Sequence, residues 1–160
     1  MADQPTSGNA RPAQPGPVRR MTFEYDGDQI RLVSEQHVRM IVPPSQPLEQ
    51  TSTHGSLQVL LRDHQNQLVH RSMRNSPIRH DTEVFSPPGM ERSVERMPVA
   101  RPKGTFVLLV PDVQGAETLE LVGHPPPPPG MGLATPEGRA ASLAAPQTLA
   151  RFTLKPFKGK

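Results

Sequence analysis

Between residues 21 and 124 the apolar residues recur with a period of two, and proline, glycine or Asn/Asp clusters interrupt the pattern every few residues. That spacing buries one side of an extended segment, which suits a half-covered β-strand and leaves a helix without a continuous apolar stripe. A packed helix needs an amphipathic run of about 10–12 residues, and no segment of this region supplies one. Seven or eight short antiparallel strands at close spacing are therefore expected, and their arrangement reads as an all-β sandwich.

The segments can be placed one by one. Thr22-Phe23-Glu24-Tyr25 alternates and runs into Asp26-Gly27, a preferred two-residue hairpin turn, from which Ile30 and Leu32 return on one face. Ser34-Glu35-Gln36 reads as a connection before a strand over 37–42, which Pro43-Pro44 stops because proline donates no ladder hydrogen bond. Leu57, Val59 and Leu61 line one face of the next strand, with Gln58 and Arg62 on the other. Asp63-His64-Gln65-Asn66 fits a type I turn with Asn66 in the left-handed region, and 67–71 returns. Thr105 to Val110 is apolar on both faces and reads as a central strand covered on two sides. Pro111-Asp112 breaks it, Gln114-Gly115 turns it, and 117–122 alternates as the closing strand. The stretch 72–104 is less regular, with a short strand over 83–86 and an extended edge near 90–99 between Pro87-Pro88-Gly89 and Pro98.

Composition divides the chain into three. Residues 1–20 hold Pro5, Pro12, Pro15 and Pro17 among small polar residues and read as a disordered tail. Residues 21–124 form the expected sandwich domain, close to the roughly 100 residues of a two-sheet sandwich. Residues 125–160 open on five prolines, which hold a polyproline II rod, and read as a linker followed by a basic peptide. The formal charge of +3 sits at this end. Residues 125–160 carry five basic groups against Glu137, whereas 1–124 carries 13 basic and 14 acidic groups. A balanced body with 4% aromatic residues lacks the basic, aromatic face of a nucleic-acid reader, so no nucleic-acid partner is expected. No apolar run reaches the length of a membrane span, and residues 1–20 have no signal-peptide apolar core, so a soluble, cytoplasmic protein is expected.

The Leu57–Arg71 hairpin and the two strands between Gly104 and Val122 resemble the middle and final hairpins of immunoglobulin-like or fibronectin type III-like sandwiches. The resemblance covers about residues 21–124 and implies a fold, not an activity. There is no Cys and no Trp, and the single Tyr, Tyr25, lies in the first strand, so the disulfide, buried Trp and tyrosine corner of antibody domains are missing.

Chemistry-bearing patterns are sparse. With Cys 0, disulfides, thiol catalysis and Cys-ligated metals are excluded. His37, His54, His64, His70, His80 and His124 show neither an H-x-H nor an H-E-x-x-H spacing, so no metal and no cofactor is expected. Arg79-His80-Asp81 with Ser72 or Ser76 has the residue types of a hydrolytic site, yet adjacent residues of an extended chain point to opposite faces, so Asp81 is badly placed to orient His80. Asp26 and Asp28 flank a turn, and Glu91 and Glu95 have adjacent arginines. Neither pair reads as a catalytic dyad, and phosphate-binding glycine loops are absent.

The expected function is thus a non-catalytic protein-interaction or assembly module with a protein partner. Its candidate binding residues are Pro125, Pro126, Pro127, Pro128 and Pro129 as a spacer, and Phe152, Leu154 and Phe157 as anchors of a docking peptide. The alternative is a small-ligand or enzymatic site on the sandwich-end loops 43–56 and 72–104.

Overall fold

The computed structural model describes residues 15–41, 56–79, 81–85, 94–123 and 145–156. Nine strands occur among them: β1 Pro15–Asp26, β2 Gln29–Ile41, β3 Ser56–Asp63, β4 Leu68–Asn75, β5 Asp81–Phe85, β6 Val94–Pro98, β7 Lys103–Pro111, β8 Ala116–Gly123 and β9 Gln147–Thr153. The described residues contain no helix. Seven strands form two antiparallel sheets, ordered β2-β1-β7 and β4-β3-β8-β9, and among the described residues β5 pairs with β6 alone. The protein is an all-β sandwich.

The core lies between the two sheets, as the alternation requires. Met21 and Phe23 from β1 and Phe106, Leu108 and Val110 from β7 meet Leu57, Val59 and Leu61 from β3 and Leu119 and Leu121 from β8. An aromatic row crosses the gap. The Phe23 ring stacks on Phe106 at 5.2 Å and tilts against Phe152 at 5.1 Å, while Tyr25 lies 6.2 Å from Phe106.

Turn chemistry sets the registers of the hairpins. Asp63 accepts the Asn66 N–H on its carbonyl, and its carboxylate accepts the Gln65 and Gln67 N–H groups. Asn66 has φ 62°, the left-handed conformation that asparagine tolerates. The first hairpin differs from expectation by one residue. Asp26 pairs with Gln29, so Gly27 and Asp28 are the central residues, and only Gly27 has positive φ. Glycine at the first central position is the requirement of a II′ turn.

Three expectations are corrected. Ser34-Glu35-Gln36 is no connection, because β2 runs unbroken to Ile41 past an irregularity beside Val33. Before it Ile30 and Leu32 oppose Tyr25 and Phe23; after it Glu35 and His37 oppose Met21 and Arg19. The extra residue therefore changes which alternate positions face the core. The Thr105–Val110 run lies in β7, an edge strand among the described residues, with Val107 43% exposed. The strand buried on both faces is β3, from Ser56 through Leu61. Finally, the domain is not confined to 21–124. β1 starts at Pro15 with Val18 and Arg19 buried, and β9 comes from the segment read as a linker and free peptide.

Candidate functional site

The C-terminal anchors are seated on their own sandwich. β9 lies antiparallel to β8, with Leu119 opposite Phe152, Glu120 opposite Arg151 and Thr118 opposite Thr153. Phe152 shares the core face of Leu119 and packs on Phe23. Leu154 is buried in the same cluster, and its N–H donates to the Glu117 carbonyl at 2.8 Å. Two of the anchors thus dock within the chain itself, because an apolar residue pair next to an unpaired strand edge gains burial and ladder hydrogen bonds together. Pro125 to Pro129 and Phe157 lie outside the described residues.

Two ionic clusters tie the segment down. On the outer face, the buried Glu120 carboxylate accepts from Arg62 Nε at 2.8 Å, Thr148 Oγ1 at 2.7 Å and Arg151 Nη2 at 3.0 Å. Burial pushes the Glu120 carboxyl up, but the hydrogen bonds from Arg62, Thr148 and Arg151 and the Arg151 charge outweigh it and hold the group at about 2. At the sandwich end, Arg19, only 3% exposed, donates Nη1 to Glu35 Oε1 at 2.6 Å and to the Lys155 carbonyl at 2.7 Å. Its Nε reaches Asp112 Oδ1 at 2.7 Å. His37 lies 3.9 Å from Glu35 and 3.7 Å from Asp112. Arg19 thereby joins β1, β2, the β7–β8 turn and the residue after Leu154 through one guanidinium.

Open grooves flank this segment. One, of about 880 Å³, lies at the β1–β2 turn with Tyr25, Ile30, Leu149 and Phe152 among its walls. On its rim Asp26 meets Lys103 at 3.1 Å and Arg101 at 2.5 Å. The Lys103 hydrogen bond holds the Asp26 carboxyl below the usual range, with burial opposing and Arg101 adding to the effect. A second groove, of about 600 Å³, borders Arg19, Asp112, Leu154 and Pro156. Neither brings together a nucleophile, a base and an orienting group.

The other sequence candidates are dispersed. Ser72 sits on β4, Ser76 Oγ accepts the Ile78 N–H at 3.3 Å, and His80 lies outside the described residues. Among the described residues no group of three or more His, Asp or Glu could hold a metal ion. No described helix is long and apolar enough to cross a membrane.

The sequence reading missed one surface. Among the described residues the β5–β6 pair joins neither sandwich sheet, and it exposes Phe85 by 70%, Val94 by 55%, Met97 by 52%, and Val84 as well. Phe85 opposes Val94 across the pair. The available signal was Val84-Phe85, two adjacent apolar residues in a short strand, where a one-sided strand would alternate.

The chain matches no family model, no curated protein and no solved structure.

Proposed function

We propose that this protein is a non-catalytic protein-interaction module whose contact surface is the β5–β6 hairpin. The observation that carries the reading is the exposure of Phe85, Val94, Met97 and Val84 on a two-stranded sheet outside the sandwich. An isolated hairpin is marginal in water, and large apolar groups clustered on one favour a protein contact. Phe85 and Val94 share one face, as expected of residues that enter a partner together. In this reading the C-terminal segment anchors the scaffold from within, and it no longer supplies the docking peptide.

The sheet order β4-β3-β8-β9 supports an immunoglobulin-like relation, in which a hairpin and two later strands share a sheet. The β2-β1-β7 sheet departs from that pattern by placing β1, not β2, at its centre. The enzymatic alternative placed a site on loops 43–56 and 72–104; residues 43–55 lie outside the described residues, and the first groove borders 72–104 through Lys103 and Gly104 without a nucleophile, base and orienting group brought together.

The test is light scattering of the full chain against the Phe85→Ser/Val94→Ser double variant. Concentration-dependent association, or binding to an added partner, should be lost in the variant while the melting temperature stays unchanged. Equal association by both proteins removes the hairpin from the reading.

A further inference from the structure

The core-facing side of β4 carries a polar row. Leu61, Val59 and Leu57 of β3 pair with His70, Ser72 and Arg74, so these three share the face that Leu57, Val59 and Leu61 turn to the core. Directly opposed residues of an antiparallel pair project to the same side. The three-stranded sheet has its β2 edge beside β9, so β4 lies at the opposite margin of the four-stranded sheet.

Among the described residues these groups have no counter-charge. His70 is 5% exposed, Ser72 is buried, and the buried His70 Nε2 and Arg74 Nε have no hydrogen-bond partner. Arg74 makes no ion pair among the described residues. Burial holds the His70 imidazole below its ordinary value, and the Arg74 charge adds to this. Burial lowers the Arg74 guanidinium too. Two buried charges elsewhere have partners: Arg19 has Glu35 and Asp112, and Glu120 has Arg62 and Arg151. The guanidinium only donates, and the Ser72 hydroxyl and an imidazole N–H can each donate beside it, so the three groups on this face can together complement an anion.

We infer that the inner face of β4 binds a small tetrahedral oxyanion of the phosphate or sulfate class, held by Arg74, Ser72 and His70. The guanidinium fork matches two oxygens of such an ion, the Ser72 hydroxyl and the His70 ring N–H each donate to another, and burial strengthens every one of these bonds. Binding supplies the negative charge whose absence disfavours the charged imidazole, so the ion and a proton on His70 bind cooperatively.

The experiment uses the full chain and inorganic phosphate, sulfate, acetate and chloride at matched ionic strength. Calorimetry should show one saturable phosphate site, and the melting temperature should rise by several degrees in phosphate or sulfate relative to chloride. The His70 ring resonance, followed by nuclear magnetic resonance, should titrate at higher pH with phosphate than without. Arg74→Met should abolish the phosphate response yet melt at or above the wild type in chloride, because it removes a half-buried charge that has no partner among the described residues. Ser72→Ala, a smaller change, should weaken binding several-fold. Identical melting in phosphate and chloride, or an undiminished response in Arg74→Met, overturns the inference. A response to acetate alone overturns the tetrahedral class.

Discussion

Arg19 and Glu120 do the most with single side chains, and each holds the C-terminal segment to the sandwich. Arg19 is buried between two carboxylates and a carbonyl, so Arg19→Met leaves Glu35 and Asp112 without their guanidinium and, among the described residues, with only His37 nearby. Breaking such a cluster costs about 3–5 kcal/mol, and urea unfolding of the variant at neutral pH should show a loss of that size. Glu120 has a sharper signature. Its carboxyl stands at about 2 in the folded protein against an ordinary 4.5. A folded value below the unfolded one means that the stabilisation is complete above pH 4.5 and is lost as the pH falls towards 2. The contribution is roughly 3 kcal/mol. Urea midpoints measured across that interval should fall steeply for the wild type. For Glu120→Gln they should start lower and change less.

At the scale of the strand, β9 makes the C-terminal segment part of the fold. Leu154→Ala removes a buried core side chain and should lower stability by about 2–5 kcal/mol, with Phe152→Ala near the lower half of that range because its ring is only partly covered. Thermal melting of the two variants checks this directly, and a chain ending at 124 should melt lower still. The segment was legible in part. Phe152 and Leu154 alternate with Arg151, Thr153 and Lys155, a period that suits an extended segment, and β9 covers Gln147–Thr153. Its partner was not legible, since period two gives the face of a strand and says nothing about which edge receives it. The β2 irregularity was hidden for a related reason. One extra residue at Val33 shifts the inward set from Ile30 and Leu32 to Glu35 and His37, and a sequence reader sees the lost phase as a loop.

For the whole molecule, the link between β8 and β9 is long for its task. Gly123 and Gln147 are register partners, yet residues 124–146 separate them, where an antiparallel pair can be joined by two residues. Loop closure depends only logarithmically on length, at about 0.6 kcal/mol per doubling. Replacing 124–146 by a flexible link of half that length should therefore raise stability by less than about 1 kcal/mol in urea unfolding. A large loss would mean that the native link packs on the sandwich.

The sequence by itself determined the all-β class, the two tight hairpins and most of the core, because strand period and turn chemistry are written in neighbouring residues. Leu57, Val59, Leu61, Leu119 and Leu121 could be assigned to one face from alternation alone, and Asn66 to its turn from the steric tolerance of asparagine. Only the tertiary structure decided what meets across the sandwich. It put Arg19 between Glu35 and Asp112, it placed Phe152 against Phe23, it left β7 at an edge, and it set His70 and Arg74 on one buried face. These are contacts between residues far apart in the chain. They depend on sheet order and strand phase, and local propensity carries no record of either.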